Sequence, residues 1–346
     1  MAPPVRFGVM RGGTAIEVPD TLAALMQLAT RQRGGFTGPL IGVTGSVGKT
    51  STKDLARAAI GATRRVWANE RSFNNDQGLP STVLNAPDDT EVMVLEMGMR
   101  GFGEIARLCD IAPPRIRVVT RVAEAHSDRV GGIDGVARAK AELVQALPSN
   151  GVAVLNADDP RVLAMRSLTD ASVLTFGESA TADVRVVGLV LDDRACATFR
   201  AVTPWGEATV RLGVSGRHMA VNAAAALACV GAVGGDVVAG AQAMADVQLS
   251  AMRMEVLHTA SGATVLNDAY NANPTSMRAA IDALAAMPAQ RRVAVLGLMA
   301  EIADAEAEHR RMVAYASERG VEVLAFGTEW YGVPADRKST RLNSSH

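Results

Sequence analysis

The chain has 346 residues, 48% of them hydrophobic and 21% charged, with a formal net charge of −1. That composition excludes a disordered chain and offers no basic surface for nucleic acid as the main partner, while the length allows two or three domains with real cores. Cys109, Cys196 and Cys229 lack Cys-x-x-Cys spacing, so they read as reduced thiols of a cytoplasmic protein rather than as a disulfide frame.

Residues 1–38 have no signal-peptide core and hold one short strand candidate and a helix at 21–31, too little for an independent domain. Across 39–248 strands and helices alternate, with strands predicted at 65–68, 92–97, 117–120 and 152–156. This order implies an α/β fold with a mostly parallel sheet flanked by helices. The stretch 184–214 is more β-rich and reads as antiparallel strands turning at Pro204-Trp205-Gly206. The apolar run 219–244 is interrupted by Asn222, Asp236 and Gln242, which suits core helices better than a membrane span. A second, incomplete α/β unit is expected over 249–335, with strands at 264–267, 292–296 and 321–326 and helices at 276–286 and 303–319. Residues 336–346 are polar and patternless and read as a non-native tail.

The chemistry starts at Thr44-Gly45-Ser46-Val47-Gly48-Lys49-Thr50-Ser51, which follows an apolar strand and runs into a helical pattern. A glycine-rich turn at a helix N-terminus aims backbone N–H groups and the positive end of the helix dipole at one spot. Lys49 adds a point cation for the outer phosphates, and the Thr50 hydroxyl can ligate Mg²⁺. Val43 stands where the longer phosphate-loop pattern has glycine, so the form present is the shorter Gly45-x-x-Gly48-Lys49-Thr50. The partner implied is ATP or GTP.

Glu96 closes a continuous apolar run, the mark of a central strand buried on both faces, and its carboxylate then faces the crevice where such sheets bind ligands. There it could hold Mg²⁺; a surface glutamate at a strand end is the alternative. Lys140 projects from the middle of the apolar face formed by Ile133, Val136, Ala137, Val144 and Leu147. Two readings stay open: a lysine snorkelling over apolar surface, or a desolvated amine neutral enough to take up CO₂ as a carbamate. His126 falls on a loop after a strand, and the residues alone leave it open between ligand, acid–base group and solvated loop. Asn74 and Asn75 open a polar loop before a helix. Asn222 sits on an otherwise apolar helix, where a nucleotide base or the backbone could satisfy it. Asp268 and Asn271 follow another strand.

Together these segments closely resemble the Mur ligase family. The resemblance rests on the phosphate loop, Asn74-Asn75-Asp76-Gln77-Gly78-Leu79-Pro80, Glu96-Met97-Gly98, Gly103-Glu104-Ile105, Ala125-His126, Ala139-Lys140, Asn156-Ala157-Asp158-Asp159, Gly216-Arg217-His218, Asn222 and the segment 268–277. It implies a central P-loop ATP-binding domain over 39–248 and a truncated Rossmann-like domain over 249–335, with 1–38 as the remnant of a UDP-substrate domain. Lys49, Glu96, His126 and Lys140 would be catalytic, with Thr50, Glu96, His126 and a carbamylated Lys140 around Mg²⁺. Thr44 through Ser51, Asn222, Arg253 and Asp268 would bind ATP, and Asn74, Asn75 and Asn271 would line the substrate cleft.

The reaction so implied is ATP-dependent amide formation between D-alanyl-D-alanine and a UDP-N-acetylmuramoyl-tripeptide, through an acyl phosphate, by a cytoplasmic monomer. Another Mur-type or folylpolyglutamate-type amino-acid ligase and a non-catalytic nucleotide-binding fragment are the alternatives. With its N-terminal domain reduced to a remnant, the chain is expected to bind the uridine substrate poorly. The chain departs from the family pattern at Val47, at Arg121-Val122, at Met219, at Met252, which stands where glycine is usual, and at Leu298.

Overall fold

The computed structural model describes residues 7–10, 13–124, 130–302 and 304–333. A short antiparallel hairpin, β1 (Phe7–Met10) and β2 (Gly13–Ile16), precedes helix α1 (Thr21–Gly34). Asp20 starts α1 by accepting the backbone N–H groups of Leu22 and Ala23, donors that a helix end otherwise leaves unpaired.

The body is a nine-stranded sheet in the order β11-β10-β9-β8-β7-β6-β3-β5-β4. The parallel part is β4 (Val66–Ala68), β5 (Val92–Glu96), β3 (Leu40–Thr44), β6 (Ile116–Val119), β7 (Val152–Asn156), β8 (Ser172–Gly177) and the start of β9 (Val184–Leu191). The β-rich stretch forms antiparallel strands β9, β10 (Cys196–Thr203) and β11 (Gly206–Ser215), with Thr203 opposite Gly206 across the Pro204-Trp205 turn.

Side-chain alternation sorts each parallel strand between two cores. Ile41, Val43, Val92 and Val94 face α2 (Lys49–Gly61), α7 (His218–Ala232) and α8 (Val237–Ala243). Leu40, Met93 and Leu95 face α1, α3 (Gly78–Leu84), α4 (Glu104–Ile111), α5 (Ile133–Gln145) and α6 (Pro160–Ala164). β5 is buried throughout, as its apolar run predicts, yet it is second from the β4 edge rather than central. Helices on both faces, not a middle position, supply the burial. The run 219–244 becomes α7 and α8, and among the described residues no helix is long and apolar enough to cross a membrane.

The last unit has its own apolar core. Strands β14 (Val293–Leu296) and β15 (Glu322–Ala325) pair in parallel around α10 (Ala305–Ser317). The strand predicted at 264–267 is present as β13 (Thr264–Asn267), but it pairs antiparallel with β12 (Glu255–His258) instead of joining β14 and β15. The intervening Gly262, at φ +84°, sits in the tight reversal that makes this hairpin. Helix α9 (Pro274–Ala286) is closed by a capping box between Asn273 and Ser276, with Pro274 in its first turn.

Candidate active site

A cleft of about 1170 Å³ opens where the parallel strands end, lined on one wall by the phosphate loop and on the other by segments around Arg253, Asp268 and α9. The loop is shaped by contacts that only glycine permits. Gly45 sits at φ +150°, and a Cβ there would fall 1.9 Å from the Thr120 hydroxyl oxygen. That hydroxyl instead donates to the Val47 carbonyl at 2.6 Å, Ser46 N–H donates to Arg121 O at 2.6 Å, and Ser46 Oγ donates to Ala123 O at 2.9 Å. Gly48, at φ +83°, turns the chain into α2. Thr44 anchors the base of the loop through its hydroxyl to Met97 O at 2.8 Å.

Lys49 and Thr50 open α2. Lys49 Nζ folds over the loop, donating to Gly45 O at 2.8 Å. Burial lowers the Lys49 pKa, nearby Glu96 opposes the change and Arg253 adds to it. Thr50 Oγ1 donates to Glu96 Oε2 at 2.8 Å, and Asn74 Nδ2 donates to Glu96 Oε1 at 2.7 Å. Glu96 is 1% exposed, so the two donors stand in for the water a buried carboxylate needs. Ser51, next on α2, is buried and lines the cleft.

Lys140 does not reach bulk solvent. It is 3% exposed on α5 and lines the same cleft. Burial holds its pKa well below the ordinary lysine value, the Lys49 charge pushes it the same way, and Glu96 opposes both. The amine is therefore biased toward its neutral, nucleophilic form.

Across the cleft, Arg253 Nη2 donates to Thr50 Oγ1 at 3.3 Å while its guanidinium lies 4.0 Å from the centre of the Tyr270 ring. The Tyr270 hydroxyl in turn hydrogen-bonds the Ser72 hydroxyl. Asp268 Oδ1 accepts from Met254 N–H at 3.1 Å; burial pushes its pKa up to about 6, against the Met254 hydrogen bond and the Arg253 charge.

The remaining expected residues have distinct settings. Asn222 packs against Gly48, with Nδ2 3.6 Å from Met219 Sδ. Asn75 turns its carboxamide oxygen back to the N–H groups of Gln77 and Gly78, at 3.1 and 2.9 Å, to start α3. Asn271 is exposed on the far wall and accepts from Ala272 N–H at 2.9 Å. His126 lies outside the described residues.

Tyr270 and Asn69 are not among the residues expected at the site. Tyr270 carries one signal, as the single aromatic of its polar segment. Asn69 directly follows β4 and is 2% exposed; its carboxamide oxygen accepts Glu96 N–H at 2.6 Å, which holds the strand end that carries the carboxylate.

Comparison with known proteins gives this cleft its kin. Residues 43–230 match the Mur ligase middle domain and residues 252–341 match the Mur ligase, glutamate ligase domain. The chain belongs to the Mur ligase family. It is 45% identical over 323 residues to a UDP-N-acetylmuramoyl-tripeptide–D-alanyl-D-alanine ligase of Mycobacterium tuberculosis, covering 90% of this chain and 63% of that relative. This Mur ligase chain therefore spans somewhat under two thirds of the relative's length. In structure it is similar to MurF from Acinetobacter baumannii, with a TM-score of 0.85 and 29% identity over 91% of this chain and 69% of that one. It is also similar to MurF ligase from Thermotoga maritima in complex with ADP, with a TM-score of 0.82 and 27% identity over 92% of this chain and 74% of that one. Among the described residues of this Mur ligase, no three His, Cys, Asp or Glu side chains cluster as a ready-made metal site.

Proposed function

We propose that the chain carries out ATP-dependent amide formation in peptidoglycan precursor synthesis, joining D-alanyl-D-alanine to a UDP-N-acetylmuramoyl-tripeptide, as a cytoplasmic monomer. The reading is carried by one observation: Lys49, Thr50, Glu96 and Lys140 line a single cleft, and Arg253, Asp268 and Tyr270 face them from the other wall. The N–H groups of the loop from Thr44 to Ser51 and the Lys49 ammonium would take the ATP phosphates. Asn222 would fix the nucleotide beside Gly48, and Asn74, Asn75 and Asn271 would border the peptide substrate.

The donor set suits Mg²⁺: Thr50 Oγ1 and Glu96 Oε2 are hard oxygens 2.8 Å apart, next to where phosphate oxygens would sit. Bound there, Mg²⁺ would neutralise charge that develops on the transferring phosphoryl group. His126 joins this set only by the family resemblance. The neutral amine of Lys140 can add CO₂ and release a proton, which would place an anionic carbamate beside Glu96 and Lys49.

In the reaction so proposed, a carboxylate oxygen of the tripeptide attacks the γ-phosphorus and ADP leaves, which forms an acyl phosphate. Lys49 and the loop N–H groups stabilise the charge on the phosphoryl oxygens. The free amine of D-alanyl-D-alanine then attacks the acyl carbon and inorganic phosphate departs. Arg253, which reaches Thr50, and Tyr270, which stacks on Arg253, would keep water from the acyl phosphate.

The test is phosphate release with ATP and the UDP-tripeptide, with and without D-alanyl-D-alanine, by a version of the chain extended to the full length of its relatives so that the uridine substrate can bind. Release that depends on the dipeptide is expected. Nucleotide binding with no acceptor-dependent release would overturn the reading in favour of a non-catalytic nucleotide module, and equal release with a single amino acid would favour a folylpolyglutamate-type ligase.

A further inference from the structure

Lys53 is a buried ammonium that the proposed chemistry does not use. It lies one helical turn beyond Thr50 on α2 and is 1% exposed. Nζ donates to the carbonyl oxygens of Asn69 at 2.6 Å and Arg71 at 2.8 Å and forms an ion pair with Asp54 Oδ1 at 3.1 Å. The second oxygen of Asp54 accepts both the N–H and the hydroxyl of Ser250, at 2.7 and 2.9 Å. A buried ion pair is seldom a net gain in stability over apolar packing, so its placement calls for another reason.

Each end of the pair leads to a different wall of the cleft. The carbonyls gathered by Lys53 belong to the segment 69–74, in which Arg71 adopts φ +48°. That segment brings Asn69 to the Glu96 backbone, Asn74 to the Glu96 carboxylate and Ser72 to Tyr270. Ser250, held by Asp54, lies three residues before Arg253, the side chain that reaches Thr50. One turn of the phosphate-loop helix thus grips both the loop that orients Glu96 and the segment that delivers Arg253.

We propose that Lys53 and Asp54 are positioning residues that couple the phosphate loop to the opposite wall, so that Asp54 strengthens nucleotide binding through Arg253 and not by contact. The inference rests on the nucleotide reading of the cleft.

The experiment is a double-mutant cycle on MgATP affinity, measured by calorimetry on the intact chain as wild type, D54A, R253A and the double variant. Asp54→Ala is expected to weaken binding about tenfold in the wild-type background and less than about twofold once Arg253 is alanine, a coupling within the usual range for residues in one network. Ser250→Ala removes only the hydroxyl, so it serves should Asp54→Ala fail to fold; a smaller loss that also vanishes in the R253A background is expected. A merely structural role would lower thermal stability in both backgrounds and weaken binding equally in both. Equal losses, or none, overturn the relay. A folded wild-type chain that binds no MgATP overturns the nucleotide reading and the relay with it.

Discussion

Arg253 reaches the Thr50 hydroxyl at 3.3 Å across 203 residues of sequence, and it does so from between two residues in left-handed backbone conformations. Met252 and Met254 have φ of +59° and +51°, a region in which a Cβ crowds the following carbonyl. The contact between the two walls of the cleft is therefore held in part by strained backbone.

Met252 is 41% exposed, so its side chain contributes little packing to offset that strain. Met252→Gly is expected to stabilise the chain by about 0.5–1 kcal/mol, the relief of the left-handed conformation less the extra freedom of glycine in the unfolded state. Urea unfolding checks the sign; destabilisation would mean that the φ value carries no strain.

Gly45 is the opposite case, a position that tolerates no side chain. Gly45→Ala would drive a Cβ into Thr120 Oγ1, which anchors the loop through Val47 O. A loss of about 1–3 kcal/mol is expected, together with loss of nucleotide binding, because the loop must move to make room. Thermal unfolding and an ADP titration on the same sample read both effects. Unchanged ADP affinity would show that the loop geometry is not what holds the nucleotide.

Lys140→Arg puts a permanent cation in place of the neutral amine and cannot form a carbamate. Its phosphate release is expected to fall by about 10²-fold, a magnitude typical for losing one electrostatic group at a phosphoryl-transfer centre. Wild-type activity should fall in CO₂-depleted buffer and recover with bicarbonate, and the variant should not respond. A wild-type enzyme indifferent to bicarbonate removal would leave Lys140 as a plain buried amine.

Two groups at the cleft give stability opposite dependences on pH. Asp268 is raised from 3.8 to about 6, so the folded chain keeps a proton that the unfolded chain has lost. The stability it contributes is present at low pH and disappears as pH rises from about 4 to about 6. His218 is lowered from 6.5 to about 4, by burial first and then by Arg121, with Asp282 opposing. Its contribution is present above 6.5 and is lost as pH falls toward about 4. Relative to wild type, Asp268→Asn should therefore make stability climb more steeply with pH through this window, and His218→Gln should make it climb less. Unfolding free energies across the window that run parallel for all three proteins would refute both assignments.

The local chemistry of the cleft is legible in the order of residues. A phosphate loop is an arrangement of adjacent residues, so Gly45 through Thr50 declare themselves, and helical periodicity alone places Lys140 on the buried face of α5. Glu96 follows from an apolar run that ends in a carboxylate. Polar loop residues are harder to read, because a carboxamide bonds whatever lies nearest. Asn74 reaches Glu96, whereas Asn75, the next residue, spends its oxygen on the start of α3.

By itself, then, the amino-acid sequence determined which segments become strand, loop and helix, and which side chains are the candidates for phosphate and acid chemistry. Only the tertiary structure decided that β5 lies second from an edge, that β13 turns back on β12, and that Arg253, stacked on Tyr270, reaches Thr50. Periodicity and turn chemistry act over a few residues and leave their mark in spacing. The meeting of groups some two hundred residues apart depends on how whole layers pack and on which buried donors remain to be satisfied, and no local spacing encodes that.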